Sequence, residues 1–202
     1  MKIYINGQEA DITLDSEKNL GDVLTSFEAE CARNKATTVN IVVDGQEVSV
    51  DKFEVFTQKP VESISTLELT TVTEGDVLLS FKEIANHFEE IIEDLKLISV
   101  QFQNGQDKKA LGTVTQLADT VDYFCKATAL STLFPEKFES MNVDGVSIQD
   151  FFGDFMTILT DFEDAFKNSD SVMLGDLAEY EITPRIESII SMINSIESVV
   201  LP

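Results

Sequence analysis

The sequence predicts an α+β fold, in which a small mixed sheet with one helix precedes an all-α antiparallel bundle. As far as Gly75, apolar and polar residues alternate in short runs that Asn-Gly and Asp-Gly dipeptides separate. Beyond Gly75, apolar residues recur at steps of three and four. A period near two is typical of a half-buried strand, and a period near 3.5 of a helix with one buried stripe. We therefore predict two domains, residues 1–74 and 75–202, that pack together.

Five strands are predicted in the first domain, as two hairpins and a final strand. Asn6-Gly7 supplies the two residues of positive φ that a type I′ hairpin turn requires, and Asp44-Gly45 is expected to make a second tight turn. Pro60 interrupts the chain before the last strand. The predicted strands are Lys2–Asn6, Gln8–Leu14, Val39–Val43, Glu47–Val50 and Ser63–Val72. The segment Phe53–Phe56 is compatible with a short turn of helix or with a further strand.

One helix is predicted between the two hairpins. Asn19 or Ser16 is expected to cap its N-terminus, because either side chain can accept a hydrogen bond from a free N–H of the first turn. Arg33 and Lys35 follow at the other end, where positive charge suits the helix dipole. The apolar stripe of this helix is Leu20, Val23, Leu24, Phe27 and Cys31.

The order of hairpin, helix, second hairpin and final strand resembles the ubiquitin-like β-grasp fold over about residues 1–73. The resemblance implies a helix packed across a mixed sheet, and a module that presents its sheet to a partner. Carrier and modifier members of that fold act through a C-terminal Gly-Gly. This chain has Thr73-Glu74-Gly75-Asp76 instead and continues for a further domain, so the resemblance does not extend to a carrier role.

The second domain is predicted to contain four amphipathic helices, or five if Pro184 divides the last one. Asn104-Gly105 and Pro135 are expected to end the first two helices, and Ser147 to cap the third. Short connections between the helices permit an antiparallel, up-down bundle. With 14 phenylalanines and no tryptophan, its core should be rich in phenylalanine. The predicted helices are Asp76–Gln103, Asp107–Leu133, Ile148–Phe166 and about Val172–Val200.

Pro184 is the one irregularity that the sequence predicts in these helices. Proline costs about 3 kcal/mol in a helix interior but is tolerated in a first turn. Either a short helix over Leu174–Tyr180 ends before Pro184, or a single helix is kinked there. The apolar residues continue through the proline without a polar gap, which favours the kinked helix.

The net charge of −23 is the strongest compositional signal. Residues 1–74 hold 14 acidic and 6 basic residues, and residues 75–202 hold 23 and 8. Such a surface repels nucleic acid and anionic lipid and attracts a basic protein. No apolar run approaches the roughly 20 residues that span a bilayer, and the N-terminus lacks the apolar core of a signal peptide. We therefore expect a cytoplasmic protein, with no membrane or nucleic-acid partner and with Cys31 and Cys125 as buried free thiols.

No motif indicates catalysis, a metal or a cofactor. His87 is the single histidine, so a di-iron bundle or a zinc site cannot be assembled. A calcium loop aligned on Gly145 would place Phe151 where a bidentate acid is needed. Acids cluster twice on predicted helices, on faces expected to meet water, which favours a solvated surface over general acid–base work. These acids are Glu89, Glu90, Glu93 and Asp94, then Asp161, Glu163 and Asp164.

The segment around Pro184 contains the candidate site. Glu179, Tyr180 and Arg185 combine an acid, an aromatic ring and the single arginine of residues 75–202. Tyrosine and arginine are favoured at interface hot spots, so the three residues are predicted to bind a partner. The alternative is an intramolecular network that fixes the irregular helix.

These observations together favour a non-enzymatic, acidic protein-interaction module, acting as an adaptor or chaperone for another protein. In gross character the helical part is similar to the small acidic chaperones of bacterial secretion and flagellar export. One alternative is an enzyme or small-ligand binder that uses carboxylates inside the bundle. Another is a nucleic-acid mimic that inhibits a basic protein. The first and last helices are long enough for a homo-oligomer as well.

Overall fold

A computed structural model describes residues 1–198 and divides into two compact units, Met1–Asp76 and a second that begins at Val77. The boundary lies two residues beyond the predicted one. The α+β fold class is confirmed, since a five-stranded sheet with one long helix precedes a helical region. No helix within the described residues is long and apolar enough to cross a membrane.

The sheet of the first unit is mixed, with strand order β2-β1-β5-β3-β4. Neighbours β1 and β5 are parallel, and the other neighbouring strands are antiparallel. The predicted type I′ turn is confirmed by φ of 49° and 80° at Asn6 and Gly7, and the predicted tight turn at Asp44-Gly45 has the similar φ values of 50° and 79°. The return strands β2 and β4 are shorter than predicted. The strands are β1 Lys2–Ile5, β2 Gln8–Ala10, β3 Ala36–Val43, β4 Gln46–Glu47 and β5 Thr66–Thr73.

Helix α1, Leu20–Arg33, packs on the sheet and contributes Leu20, Val23 and Leu24 to the core of the first unit. Asn19 rather than Ser16 is its N-cap. The Asn19 side chain accepts from the Asp22 N–H at 2.9 Å, and the Asp22 carboxylate accepts from the Asn19 N–H at 3.3 Å, which completes a capping box. Of the two possibilities left open for Phe53–Phe56, helix or strand, the structure has the helix: a short helix, α2, covers Phe53–Thr57. It buries Phe56 against the same core.

Asp44 links its hairpin turn to the start of β5. Its carboxylate accepts from the backbone N–H groups of Ser65 at 2.9 Å and Thr66 at 2.8 Å. The hydrogen bond from the Thr66 N–H is the largest cause that lowers the pKa of this carboxyl, because it favours the charged form. Asp44 therefore couples the stability of the first unit to pH.

We expect the first unit to lose stability on acidification, and Asp44→Asn to reduce that loss. Since the pKa of Asp44 is lower in the folded chain than the unfolded value of about 3.9, its contribution is present above that value. It is lost as the pH falls through the folded pKa. Urea midpoints at neutral and acid pH, followed by the Thr66 amide resonance, measure the difference. Glu62→Gln, which removes a charge without a hydrogen bond, is the control; an equal effect of both variants would contradict the coupling.

The helical unit is more divided than the four predicted segments. Helix α3 covers Glu74–Lys96 and α4 covers Ile98–Gln103, so the prediction of one helix over Asp76–Gln103 is wrong at Leu97. No glycine or proline marks this break in the sequence. A side-chain hydrogen bond joins the two segments, because the Asp94 carboxylate accepts from Gln101 at 3.2 Å. The same carboxylate pairs with Lys109 of the next helix at 2.8 Å.

The second and third predicted helices are confirmed as α5, Asp107–Ser131, and α7, Ile148–Lys167. Ser147 caps α7 as predicted, by accepting from the Asp150 N–H at 3.1 Å. The segment between the two helices, predicted as a loop, has some secondary structure. It contains a one-turn helix α6, Pro135–Phe138, and a small hairpin of β6, Asn142–Val143, and β7, Val146–Ser147.

The backbone remains helical through Pro184. Helix α8, Ser171–Asp176, continues as a π segment, Leu177–Ile182, and then as α9, Thr183–Ser198. Proline lacks an N–H and crowds the preceding turn, and a π turn relieves both problems by closing its hydrogen bonds five residues back. Here the Thr183 N–H donates to the Ala178 carbonyl. A continuous helical path was the favoured alternative; its predicted end near Val200 lies outside the described residues.

Phenylalanine forms the centre of the helical unit, as predicted. The Phe124 ring of α5 lies 6.1 Å from the Phe81 ring, 6.4 Å from the Phe88 ring and 5.2 Å from the Phe152 ring, between centroids. The fully buried phenylalanines are Phe81, Phe88, Phe124, Phe155 and Phe162.

The two cysteines differ in exposure. Cys31 is buried, as predicted, whereas the prediction of a buried Cys125 is wrong because its side chain is exposed. One residue along a helix turns the side chain by about 100°, so Cys125 points away from the core that holds Phe124. Both thiols are free.

Candidate interaction surfaces of the helical unit

Arg185, the central residue of the predicted site, is turned into the protein. Its side chain is 24% exposed and donates to the Asp154 carboxylate of α7 at 2.7 Å. It also donates to the Glu181 carboxylate at 2.7 Å and to the Glu181 carbonyl at 3.0 Å. Arg185 thus links α7 to the π segment and donates to a backbone carbonyl of that segment. These contacts are of the kind expected from an intramolecular network, the alternative given above for this cluster.

Glu179 and Tyr180, by contrast, face solvent, and Tyr180 is 66% exposed. The negative charge of the adjacent Glu179 carboxylate, together with a hydrogen bond to it, raises the pKa of Tyr180. Of the three predicted residues, these two remain available to a partner. They offer a small exposed surface.

A longer groove runs between α3 and α5, and we call it the acidic groove. It consists of two adjoining cavities of about 230 and 480 Å³, which share His87 and Tyr123. On each helix the lining residues recur at steps of three and four, so the groove follows both helices along one face. It is lined by Ser80, Glu83, Ile84, His87, Glu90 and Ile91 of α3 and by Gln116, Asp119, Thr120, Tyr123, Lys126, Ala127 and Leu130 of α5.

The walls of the acidic groove hold carboxylates that nothing nearby neutralises. Glu83 and Glu90 on one wall and Asp119 on the other have no hydrogen-bond or ion-pair partner within the described part of the chain. Lys126 is the one cation of the lining, and it pairs with Asp122 at 2.6 Å. Unpaired acids on two facing walls create a negative potential that favours a positively charged occupant.

The acidic groove also offers apolar contact. Its floor contains the buried side chains of Ile84, Ile91 and Ala127. Tyr123 is 59% exposed, and the Lys126 ammonium lies 5.8 Å from the centre of its ring. An aromatic ring attracts cations to its face, so Tyr123 complements the carboxylates. His87 is exposed and lies at the junction of the two cavities.

The two predicted acidic clusters lie mainly in solvent. Glu89, Glu90 and Glu93 are exposed and Asp94 is half-buried; the second cluster, on α7, is exposed. Within residues 1–198, no group of three or more histidines, cysteines or acids is arranged to hold a metal ion. The clusters do not converge on a shared cavity, apart from Glu90 in the acidic groove and Glu163 in the groove described next.

A second groove, between α5 and α7, was not predicted, and we call it the apolar groove. It is an open groove with a volume of about 410 Å³, and Leu117, Val121 and Phe162 are among its buried residues. The sequence signal that could have identified it is an apolar stripe on α5 that is partly buried and partly exposed. That stripe is Leu111, Val114, Ala118, Val121 and Cys125. The groove is lined by Val114, Leu117, Ala118, Val121, Asp122 and Cys125 of α5 and by Met156, Leu159, Thr160, Phe162 and Glu163 of α7.

Comparisons with known proteins match both units. A family described as the TP0873 N-terminal domain matches residues 1–73, and a domain of unknown function, DUF8042, matches residues 80–192. An uncharacterized protein of Treponema pallidum (strain Nichols) is 27% identical over 184 residues, which cover 91% of this chain and 92% of that protein. No solved structure matches. Because the DUF8042 match spans more than half of the sequence, the chain belongs to the DUF8042 family.

Proposed function

We propose that this protein is a non-enzymatic interaction module, an adaptor or chaperone-like protein of the cytoplasm, that binds a basic segment of a partner protein in the acidic groove. The observation that carries the proposal is the set of three unpaired carboxylates, Glu83, Glu90 and Asp119, on facing walls above an apolar floor. A partner's lysines or arginines would pair with the walls while its apolar side chains contact the floor.

The charge of the whole chain supports the same partner. A net charge of −23 steers a basic protein toward the surface and speeds its association, with little effect on an uncharged one. Tyr123 provides an exposed aromatic side chain near the middle of the groove, and tyrosine is one of the residue types enriched among those that contribute large binding energies. Affinity would therefore combine salt-sensitive pairing with salt-insensitive apolar contact.

The first unit supports the proposal with a second surface. Strand register aligns one residue from each strand in a row across the sheet, on the face away from the core. The row is Glu9, Tyr4, Glu68, Val42 and Glu47, so that acids alternate with half-buried apolar side chains. Lys2 pairs with Glu9 at 2.9 Å, whereas Glu68 and Glu47 have no partner within the described residues. A module resembling a β-grasp would present this face to the partner.

Neutralising the acidic groove is expected to weaken partner binding roughly tenfold or more. In the triple variant Glu83→Gln, Glu90→Gln, Asp119→Asn, three pairings of up to about 1 kcal/mol each are removed. The tagged protein is purified from its native cell at low salt, and the retained partner is then titrated against the wild type and the variant. Raising the salt concentration should release the partner from the wild type.

The matched control is Glu136→Gln, Asp161→Asn, Asp164→Asn, which removes the same charge from exposed sites outside the groove. It should retain the partner almost as well as the wild type. Equal loss in both triple variants would mean that total charge, not the groove, determines binding. No partner retained at low salt would refute the proposal, and displacement of the partner by duplex DNA would favour a nucleic-acid mimic instead.

A further inference from the structure

The function proposed for the acidic groove does not account for the apolar groove, although α5 lines both. Its exposed lining includes Met156, 49% exposed, as well as Ala118 and Cys125. Leu111, one turn before the lining residues of α5, is 52% exposed and extends the same stripe. Single exposed apolar residues are ordinary, but a stripe that continues into a cavity of about 410 Å³ marks a contact surface.

The walls of the apolar groove favour an occupant that is itself helical. Both walls are helices, whose backbone groups already bond within each helix. The hydroxyl of the lining residue Thr160 is also engaged, since it donates to the Met156 carbonyl at 2.8 Å. An extended peptide would find few partners for its backbone, whereas a helix satisfies its own.

The dimensions of the groove fix the length of that helix. On α5 the lining runs from Val114 to Cys125, and on α7 from Met156 to Glu163. At 1.5 Å per residue the two walls are roughly 16 and 10 Å long, which corresponds to about two to three helical turns. Such a helix would present apolar side chains at positions i, i+3 or i+4, and i+7.

The acidic residues at the two rims of the apolar groove indicate which residues should flank the apolar face of the occupant. Asp122 on one rim pairs with Lys126 at 2.6 Å, and Glu163 on the other pairs with Lys167 at 2.6 Å. Both pairs are exposed, and exposed pairs contribute at most about 1 kcal/mol, so a partner's cation can replace either lysine at little cost. A second copy of this chain would be repelled, because residues 75–202 hold 23 acids against 8 basic residues.

We propose that the apolar groove between α5 and α7 docks an amphipathic helix of a partner protein, about two to three turns long, with lysine or arginine flanking its apolar face. Met156, Ala118 and Leu159 contact the apolar face, and Asp122 and Glu163 pair with the flanks. This site is distinct from the acidic groove and does not depend on the function proposed for it.

Cys125 provides a native probe of occupancy, because it lines the groove while Cys31 is buried. Partial burial of the sulfur, together with the Asp122 charge, raises the pKa of the Cys125 thiol, so alkylation by N-ethylmaleimide is followed at mildly alkaline pH. The ligand is a synthetic helix of about fifteen residues with leucines on one face and lysines beside them. Two comparison peptides carry glutamates at the flanks or the same residues in shuffled order.

The lysine-flanked peptide is expected to slow Cys125 alkylation at least roughly tenfold at saturation, and to bind roughly tenfold more tightly than the glutamate-flanked one. Met156→Lys and Ala118→Arg should abolish protection, and both positions are exposed, so folding is retained. Leu79→Lys, at another exposed apolar site on α3, should leave protection unchanged. The acidic-groove triple variant should also retain it, which separates the two sites.

Three results would overturn the proposal. Equal protection by the shuffled peptide would mean adsorption by charge alone. Peptide binding without protection of Cys125 would place the peptide elsewhere. Protection that rises with protein concentration in the absence of peptide, together with a dimer in light scattering, would make a second copy of the chain the occupant.

Discussion

Replacing Phe124 by alanine is expected to lower the free energy of unfolding of the helical unit by about 3–5 kcal/mol. The ring is fully buried and contacts the rings of Phe81 and Phe88 on α3 and of Phe152 on α7. Its removal loses buried apolar area and leaves a cavity that three neighbours cannot easily fill. Urea unfolding followed by far-UV circular dichroism, which reports mainly on the helices, measures the change.

Tyr123→Ala is the matched control, because the preceding residue is also aromatic but is 59% exposed. We expect it to change stability by less than about 0.5 kcal/mol, as is usual for surface substitutions. Phe124→Leu should lie between the two variants, since leucine fills part of the space. Similar losses for Phe124→Ala and Tyr123→Ala would contradict the central position of Phe124.

Gly175→Ala is expected to destabilise the helical unit by about 1–3 kcal/mol, although alanine is the better helix former. A Cβ at position 175 would lie 2.7 Å from the Ser99 Cβ and 3.1 Å from its Oγ. Real Cβ atoms do not approach so closely, so α8 or α4 would have to shift. Thermal unfolding of the variant and the wild type gives the difference.

A reciprocal exchange tests the cause of that loss. Ser99→Gly removes the opposing Cβ, so the double variant Ser99→Gly, Gly175→Ala should recover much of the stability, and the two changes should not be additive. Gly112→Ala in α5 is the control, because a Cβ added at position 112 would meet no atom within 4 Å. It should stabilise the protein by up to about 1 kcal/mol. A gain from Gly175→Ala of the same size would show that α4 and α8 do not meet there.

Much of the fold could be predicted because each element shows its buried face in its own sequence. The Asn-Gly and Asp-Gly turns of the first unit depend on two adjacent residues, and the core line of α5 depends on spacing alone. The break at Leu97 could not be predicted in this way, because Leu95 and Ile98 are both buried and the spacing continues across it. Next to the break, Asp94 contacts Gln101 and Lys109, and spacing does not reveal such contacts.

The candidate site was harder to predict, because its residues come from different helices. The sequence indicated an acidic surface and placed Glu90 within a cluster on α3, but it could not place Asp119 of α5 on the facing wall. Arg185 illustrates the same limit. Glu181, one turn before it, was within reach of a helical pattern, whereas Asp154 is 31 residues away and is brought there only by packing.

The π segment before Pro184 keeps the buried side of its helix in phase. Leu174, Ala178, Ile182 and Ile186 are all fully buried, and each is four residues after the last. In a regular α-helix a step of four advances the side chain by about 40° more than a full turn, so three steps would rotate it by roughly 120°, away from the core. A π turn contains more residues than an α turn and cancels part of this drift. The wide turn therefore lets a strict four-residue repeat face one side, which a uniform α-helix could not do.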